Sequence, residues 1–192
     1  MRRRFIFASI AAVLAFILLG GAGTAALWRF QTSINAGTVS TGNLVLLNGD
    51  AGSQVKNSLL TSLTGTALAP GDAVQAPLTI RNGGTTKFSY GLTGITTNAG
   101  NPASTAFQAA LLISIVSISA ASQCPVNGAA ASGTQLYNGP VSGSASLSTA
   151  QNLNPSSNAL LCLRVSFSAS ATQAAAAGQL ALTFSWRADQ LR

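Results

Sequence analysis

The chain has 192 residues, enough for one domain with a hydrophobic core, and a formal net charge of +7. It contains no histidine and only three acidic residues, Asp50, Asp72 and Asp189. General acid–base catalysis and hydrolytic metal sites depend most on histidine, glutamate and aspartate, so the composition argues against an enzyme and predicts no cofactor or metal. Beyond residues 2–4 the basic side chains are scattered, which argues against a nucleic-acid-binding surface.

Residues 1–26 have the organisation of a secretory signal peptide. Three arginines precede an apolar run, and a patch of small residues follows it. Thr24 and Ala26 suit the −3 and −1 positions of a signal peptidase site, so we place cleavage before Leu27. An uncleaved membrane anchor is the alternative, but ~15 apolar residues fall short of the ~20 that span a bilayer. We therefore expect a signal helix with transient membrane contact, and a protein secreted to the cell surface or extracellular matrix.

Residues 27–39 follow the predicted cleavage site and begin with two aromatic side chains. Trp28 and Phe30 lie on one side of an extended chain, and Arg29 lies on the other. One interpretation is an N-terminal strand that pairs into its own sheet. The other is a donor strand that leaves its own domain and completes the sheet of another subunit. The residues alone leave both interpretations open.

Residues 40–192 carry the pattern of an all-β domain. Residues 38–47 are rich in strand-forming side chains, and residues 53–66 indicate a loop or a short edge piece. Residues 98–103 predict a loop, and residues 171–178 predict one or two helical turns.

Residues 74–80 form the first cleanly alternating segment. Pro77 lies on its polar side, which favours a strand at the edge of a sheet. A turn at residues 82–84 leads to a second inward-facing row, formed by Phe88, Tyr90 and Leu92. The two segments are interpreted as a hairpin or as neighbouring strands of a Greek-key connection.

Further strands are predicted in the second half of the chain. Residues 110–118 are assigned to a central strand covered on both faces, and residues 180–187 show the strongest alternation in the sequence. The other candidate segments are residues 134–137, 145–147 and 161–167. Short strands separated by turns, without a long amphipathic helix, predict an all-β sandwich of about seven to nine strands.

The two cysteines, Cys124 and Cys162, are predicted to form one disulfide, because a secreted chain reaches an oxidising compartment. The bond would close a loop of ~38 residues and stabilise the fold by roughly 4 kcal/mol on the chain-entropy model. A metal thiolate pair or a redox site is the alternative, but no CxxC motif supports it. Cys162 alternates with the apolar row of its strand, so the bond is expected on the outside of the sheet.

Four segments together resemble the TasA/camelysin family. They are GTAALW at residues 23–28, AGTVSTGNLVL at 36–46, APGDAVQAPLTIRNGGT at 69–85, and LTFSWRADQ at 182–190. The resemblance implies a secreted jelly-roll domain that forms fibres of a biofilm matrix, with the N-terminal strand of one subunit passing into the next. It would make Trp28 and Phe30 the anchors of the donor strand. The camelysin branch is associated with proteolysis, but this chain has no histidine or glutamate to which a metalloprotease site could be assigned.

The favoured hypothesis is therefore a non-catalytic structural subunit of an extracellular fibre, pilus or biofilm matrix, built as a homopolymer by strand exchange. Val74, Leu78 and Ile80 mark the strand expected at the acceptor edge. The alternative is a secreted binding module for glycan or cell-wall components that does not polymerise. Its binding loops would lie between residues 98 and 158, with Tyr137 as the candidate for sugar stacking. An enzyme ranks third.

Overall fold

The structure is a computed structural model that describes residues 42–126 and 128–191. The predicted signal helix, cleavage site and donor strand, including Thr24, Ala26, Leu27, Trp28 and Phe30, lie outside the described residues. No helix among the described residues has the length and apolar character needed to cross a membrane.

Nine strands and one α-helix make up the described part of the chain. In chain order they are β1 (Leu46–Asp50), β2 (Ser53–Val55), β3 (Ala73–Asn82), β4 (Phe88–Thr97), α1 (Pro102–Ala109), β5 (Leu111–Ile118), β6 (Thr134–Pro140), β7 (Gln151–Leu153), β8 (Asn158–Phe167) and β9 (Leu182–Gln190). Single 3-10 turns lie at Ala121–Gln123 and Gln173–Ala175. The prediction of an all-β domain is confirmed, and the short β2 matches the edge piece expected after residue 53.

The strands form two antiparallel sheets. The larger sheet has six strands in the order β2-β1-β3-β8-β5-β6, and the smaller has three in the order β7-β4-β9. Apolar side chains from both sheets form one core, in which Ile80, Phe88, Ile113 and Leu161 are fully buried. Burial of this shared face is the main force that holds the sheets together as a sandwich.

Asn82 joins the two sheets at the turn between β3 and β4. Its side chain is fully buried. Nδ2 donates to the carbonyl oxygens of Thr86 at 2.8 Å and Leu153 at 3.1 Å, and Oδ1 accepts from the Gly84 amide at 3.0 Å. Because β3 and β4 belong to different sheets, the prediction that they form a hairpin or neighbouring strands is wrong. The turn instead carries the chain from one layer to the other.

The local turn and helix signals explain several element boundaries. Gly71 has φ +97° in the Pro70-Gly71-Asp72 turn, where glycine supplies a left-handed backbone, and β3 begins two residues later. Asn101 caps α1, since its Oδ1 accepts from the Ser104 amide at 2.8 Å, and Pro102 occupies the first helical turn. The last two residues of the loop predicted at 98–103 therefore belong to the first turn of α1.

Two strand predictions differ from the structure. The first strand begins at Leu46, near the end of the predicted 38–47 segment, part of which lies outside the described residues. Residues 145–147 are not a strand, and β7 at Gln151–Leu153 supplies the short strand of that region. Of the one or two helical turns predicted for residues 171–178, the structure has one, a 3-10 turn at Gln173–Ala175.

Cys124 and Cys162 form the predicted disulfide, with Cα atoms 5.6 Å apart. They pack with Val116 and Ile118 in a second apolar cluster, separate from the main core. Leu161 and Leu163 point from β8 into the core, so Cys162 lies on the outer face of the six-stranded sheet, as the alternation predicts. The bond fastens the loop that follows β5 onto that outer face.

Candidate functional site

An open groove with an apolar lining lies between the two sheets, and we call it the β9 groove. It has a volume of about 590 Å³. The inner faces of β3, β5 and β8 form its floor, β9 forms one wall, and residues 58–68 form the other. Its apolar lining includes Leu60, Leu63, Val74, Leu78, Leu111, Leu163, Val165, Leu182, Phe184 and Trp186.

The β9 wall follows from a strict alternation of side chains. Leu182, Phe184 and Trp186 are half-buried and line the groove, whereas the intervening Thr183, Ser185 and Arg187 are exposed. Trp186 is held from behind by Tyr90, with ring centroids 6.3 Å apart at an interplanar angle of 57°. Bulky apolar side chains that are only half-covered at the end of a sandwich leave room for a further layer of chain.

The edge of β9 beside this wall has no strand partner among the described residues. β9 pairs only with β4, from Leu182 opposite Thr97 to Gln190 opposite Phe88. The smaller sheet therefore ends at β9. An unpaired edge presents backbone N–H and C=O groups that another extended segment can pair with.

The opposite wall, residues 58–68, is held by few polar contacts. The Ser58 hydroxyl donates to Asn48 Oδ1, and the Ser62 hydroxyl donates to Asp50 Oδ1 at 3.2 Å. Leu59 is 84% exposed, and Leu60 and Leu63 are only partly covered by the core. This wall consequently adds apolar surface to the groove without closing it.

The groove has no charged side chain in its lining. No cluster of three or more histidine, cysteine or acidic residues that could hold a metal exists within the described ranges. Burial raises the pKa of Tyr90, behind the groove wall, to about 12. The groove therefore offers mainly apolar surface, together with a few neutral polar side chains such as Asn48, Ser58 and Thr183.

The predicted acceptor residues lie on β3, which is not an edge strand. β3 lies between β1 and β8, so the edge inferred from Pro77 is wrong for the strand order. β1 pairs only with Thr79 to Asn82, and the Gln75 amide donates to the Val126 carbonyl of a loop at 3.3 Å. Backbone alternation turns the nitrogen of Pro77 to this same side, where no strand needs its missing N–H.

The three predicted acceptor residues, Val74, Leu78 and Ile80, lie in two different places in the fold. Val74 and Leu78 lie in the floor of the β9 groove, whereas Ile80 is fully buried in the core. Their role as acceptor residues remains a prediction. The unpaired strand edge beside this floor is that of β9, which belongs to the three-stranded sheet.

Tyr137, the residue expected to stack on sugar, is half-buried and packs against the main core. Its hydroxyl donates to the Pro140 carbonyl at 2.6 Å. Its role in sugar stacking remains a prediction.

The sequence pattern identified Leu182, Phe184 and Trp186 as one side of an alternating strand and did not reveal their place in the groove. The strength of their alternation predicts the strand but not its position in a sheet. The available signal was their bulk, since a Leu-Phe-Trp row needs a deep opposing layer.

No protein-family model matches this chain, and no curated protein matches it.

Proposed function

We propose that the protein is a secreted structural subunit of an extracellular fibre or biofilm matrix, and that it assembles by strand exchange. Residues 27–39 of one copy occupy the β9 groove of the next. The observation that carries the proposal is the unpaired β9 edge beside an uncharged, apolar groove.

The proposed occupant of the β9 groove comes from the chain that precedes the described residues. Trp28 and Phe30 lie on one side of an extended strand, and the groove offers an apolar floor on the side to which such a strand would turn its large residues. Backbone pairing with β9 would supply the hydrogen bonds, and the two aromatics would supply roughly 3–6 kcal/mol of burial. The resemblance to TasA/camelysin proteins and the family's jelly-roll fold agree with this arrangement.

The disulfide supports the export step of the proposal. Cys124 and Cys162 are the only cysteines of the chain, and they are paired. Disulfides of this kind persist in oxidising compartments such as the cell exterior.

A peptide-capture experiment tests the proposal. The acceptor is the chain from Leu27 to Arg192 with Trp28→Ser and Phe30→Ser, which we expect to remain monomeric. A synthetic peptide of residues 27–39 should bind it at one-to-one stoichiometry and slow amide hydrogen exchange along residues 182–190. A peptide with the same two serine substitutions is the matched control and should give no protection.

Polymer formation by the unsubstituted chain is the second readout, measured by electron microscopy. Fibres from the unsubstituted chain and none from the serine variant are the expected result. A peptide that binds without protecting β9, or serine variants that assemble normally, would refute strand exchange through this groove.

A further inference from the structure

A second concave surface lies on the outer face of the six-stranded sheet, opposite to the face that lines the β9 groove. Its volume is about 310 Å³, at the lower end of the ~300–1,000 Å³ range of small-molecule sites. Its lining comprises Ser114, Val116, Ala130, Ala131, Gly133, Gln135, Asn138, Cys162, Arg164 and Ser166. We call it the Arg164 pocket.

The register of four neighbouring strands builds a polar row of four side chains, and three of them, Arg164, Ser114 and Asn138, line this pocket. Arg164 of β8 lies opposite Gln75 of β3 on one side and opposite Ser114 of β5 on the other. Ser114 in turn lies opposite Asn138 of β6. Directly opposed residues share a face of the sheet, so these four side chains form one line across the strands.

A β-bulge adds a further amide to the same face. The β5–β6 pairing shifts between Ile115 and Val116, so Val116 lies opposite Gln135 while Ser114 lies opposite Asn138. In a regular strand, positions 135 and 138 would point to opposite faces. The bulge brings both into the Arg164 pocket, and bulges of this kind often redirect side chains at binding sites.

One end of the Arg164 guanidinium is fixed by the protein. Its Nη1 donates to Gln75 Oε1 at 2.8 Å and to the Gly128 carbonyl at 3.1 Å. Gln75 is itself fully buried, and its Nε2 donates to the carbonyls of Pro125 at 2.7 Å and Ala129 at 3.0 Å. The nearby disulfide anchors this loop at Cys124, so the guanidinium is held in place before any ligand arrives.

The other edge of the guanidinium is available. Within residues 42–126 and 128–191, Nε and Nη2 of Arg164 have no protein partner, and no buried side-chain nitrogen or oxygen is left without one. These two groups therefore keep some exposed surface, and Arg164 is among the residues that line the pocket. The only salt bridge among the described residues joins Arg187 and Asp189, so no carboxylate of this region neutralises Arg164.

We infer that the Arg164 pocket binds a carboxylate-bearing saccharide, such as a uronic acid residue of an acidic polysaccharide. The free Nε–Nη2 edge has the planar geometry that pairs with a carboxylate through two parallel hydrogen bonds. The serine and amide side chains around it are neutral donors and acceptors suited to sugar hydroxyls. Val116, Ala130 and Ala131 supply a small apolar wall for the C–H face of the ring. Because the pocket lies on the outer face, this inference does not depend on strand exchange.

Two substitutions at Ser114, which have nearly the same side-chain shape and differ in charge, test the inference. Ser114→Asp places a carboxylate opposite Arg164 and should occupy its free edge, whereas Ser114→Asn is the uncharged control of matching size. The probe is trigalacturonate, measured by calorimetry against its fully methyl-esterified form. We expect the acid to bind and the ester not to bind, and Ser114→Asp to lower affinity about tenfold or more, as one close charge would. Ser114→Asn should bind close to the unsubstituted protein.

Three outcomes would overturn the inference. They are equal binding of the acid and its ester, equal binding by the Asp and Asn variants, and binding of hexaglutamate as tightly as trigalacturonate. The last would identify a site for acidic peptides instead of sugars. Thermal unfolding of both variants shows whether either has lost the fold, and Arg164→Lys, which keeps the charge but not the fork, gives an independent variant expected to bind more weakly.

Discussion

Asn82 is the residue on which the packing of the two sheets most depends. It is a buried polar side chain whose donor and acceptor groups are all directed at backbone atoms of the β3–β4 turn and of β7. Loss of such a side chain leaves buried carbonyl groups without partners, which costs more than the hydrogen bonds contribute on balance.

We expect Asn82→Ala to lower the free energy of unfolding by about 2–4 kcal/mol. The exposed Asn152 of β7 provides the control, since Asn152→Ala should change stability little. Urea denaturation of both variants measures the difference. Equal stability of the two variants would show that the turn relaxes without its side-chain bonds.

Tyr90 makes the stability of the fold depend on pH in the alkaline range. Burial raises the pKa of its phenol from 10.0 to about 12, so between these values the folded chain keeps a proton that the unfolded chain releases. Stability is therefore complete below pH 10 and falls as the pH rises toward 12, by up to about 3 kcal/mol.

The variant Tyr90→Phe has no phenol to ionise, and we expect it to lose this part of the pH dependence. Urea denaturation at several pH values between 9 and 12 compares the two proteins. The same decline in both proteins would assign the alkaline loss of stability to other groups.

At the scale of strands, the sequence predicts where strands occur better than it predicts which strands pair with each other. Alternation identified β3, β8 and β9 closely, because a half-buried strand must place apolar residues at every second position. The same rule located Cys162 on the outer face. The partners of each strand are set by long-range packing, which has no local signal.

Two wrong predictions show why strand arrangement cannot be read from local sequence. The Asn82-Gly83-Gly84 turn has the composition of a hairpin, but the buried bonds of Asn82 direct the chain into the other sheet. Pro77 indicated an edge because it lacks an N–H, yet β1 stops short of it and leaves that side of β3 without a strand. The β9 groove could not be predicted, because it results from the unequal widths of two sheets.

The disulfide closes the segment from Cys124 to Cys162, which contains β6, β7 and the first half of β8. Replacement of both cysteines by serine should lower the free energy of unfolding by roughly 4 kcal/mol, because the unfolded chain regains the freedom of a long loop. Denaturant unfolding with and without a reducing agent measures the effect. The reducing agent should bring the unsubstituted protein to the stability of the double-serine variant, and it should leave the double-serine variant unchanged. A double-serine variant that the reducing agent destabilises would contradict this account.

At the scale of the whole molecule, the two concave surfaces lie on opposite faces of the six-stranded sheet. The inner one is apolar and bordered by an open strand edge, and the outer one is polar with a single cation. A subunit built in this way would join its neighbours through one face while the other remains open to a matrix polymer. Each surface can be altered without touching the other.

Assembly through the inner surface should make stability depend on protein concentration. Occupation of the β9 groove by another copy stabilises the folded state by mass action, so the unfolding temperature of the chain from residue 27 should rise with concentration. Trp28→Ser with Phe30→Ser should abolish this rise, because loss of two buried aromatics weakens pairing by roughly 3–6 kcal/mol. Arg29→Gln, on the other side of the predicted strand, should retain it. Calorimetry over a wide concentration range gives the answer, and an unfolding temperature that is constant for all three proteins would mean that residues 27–39 do not join one subunit to the next.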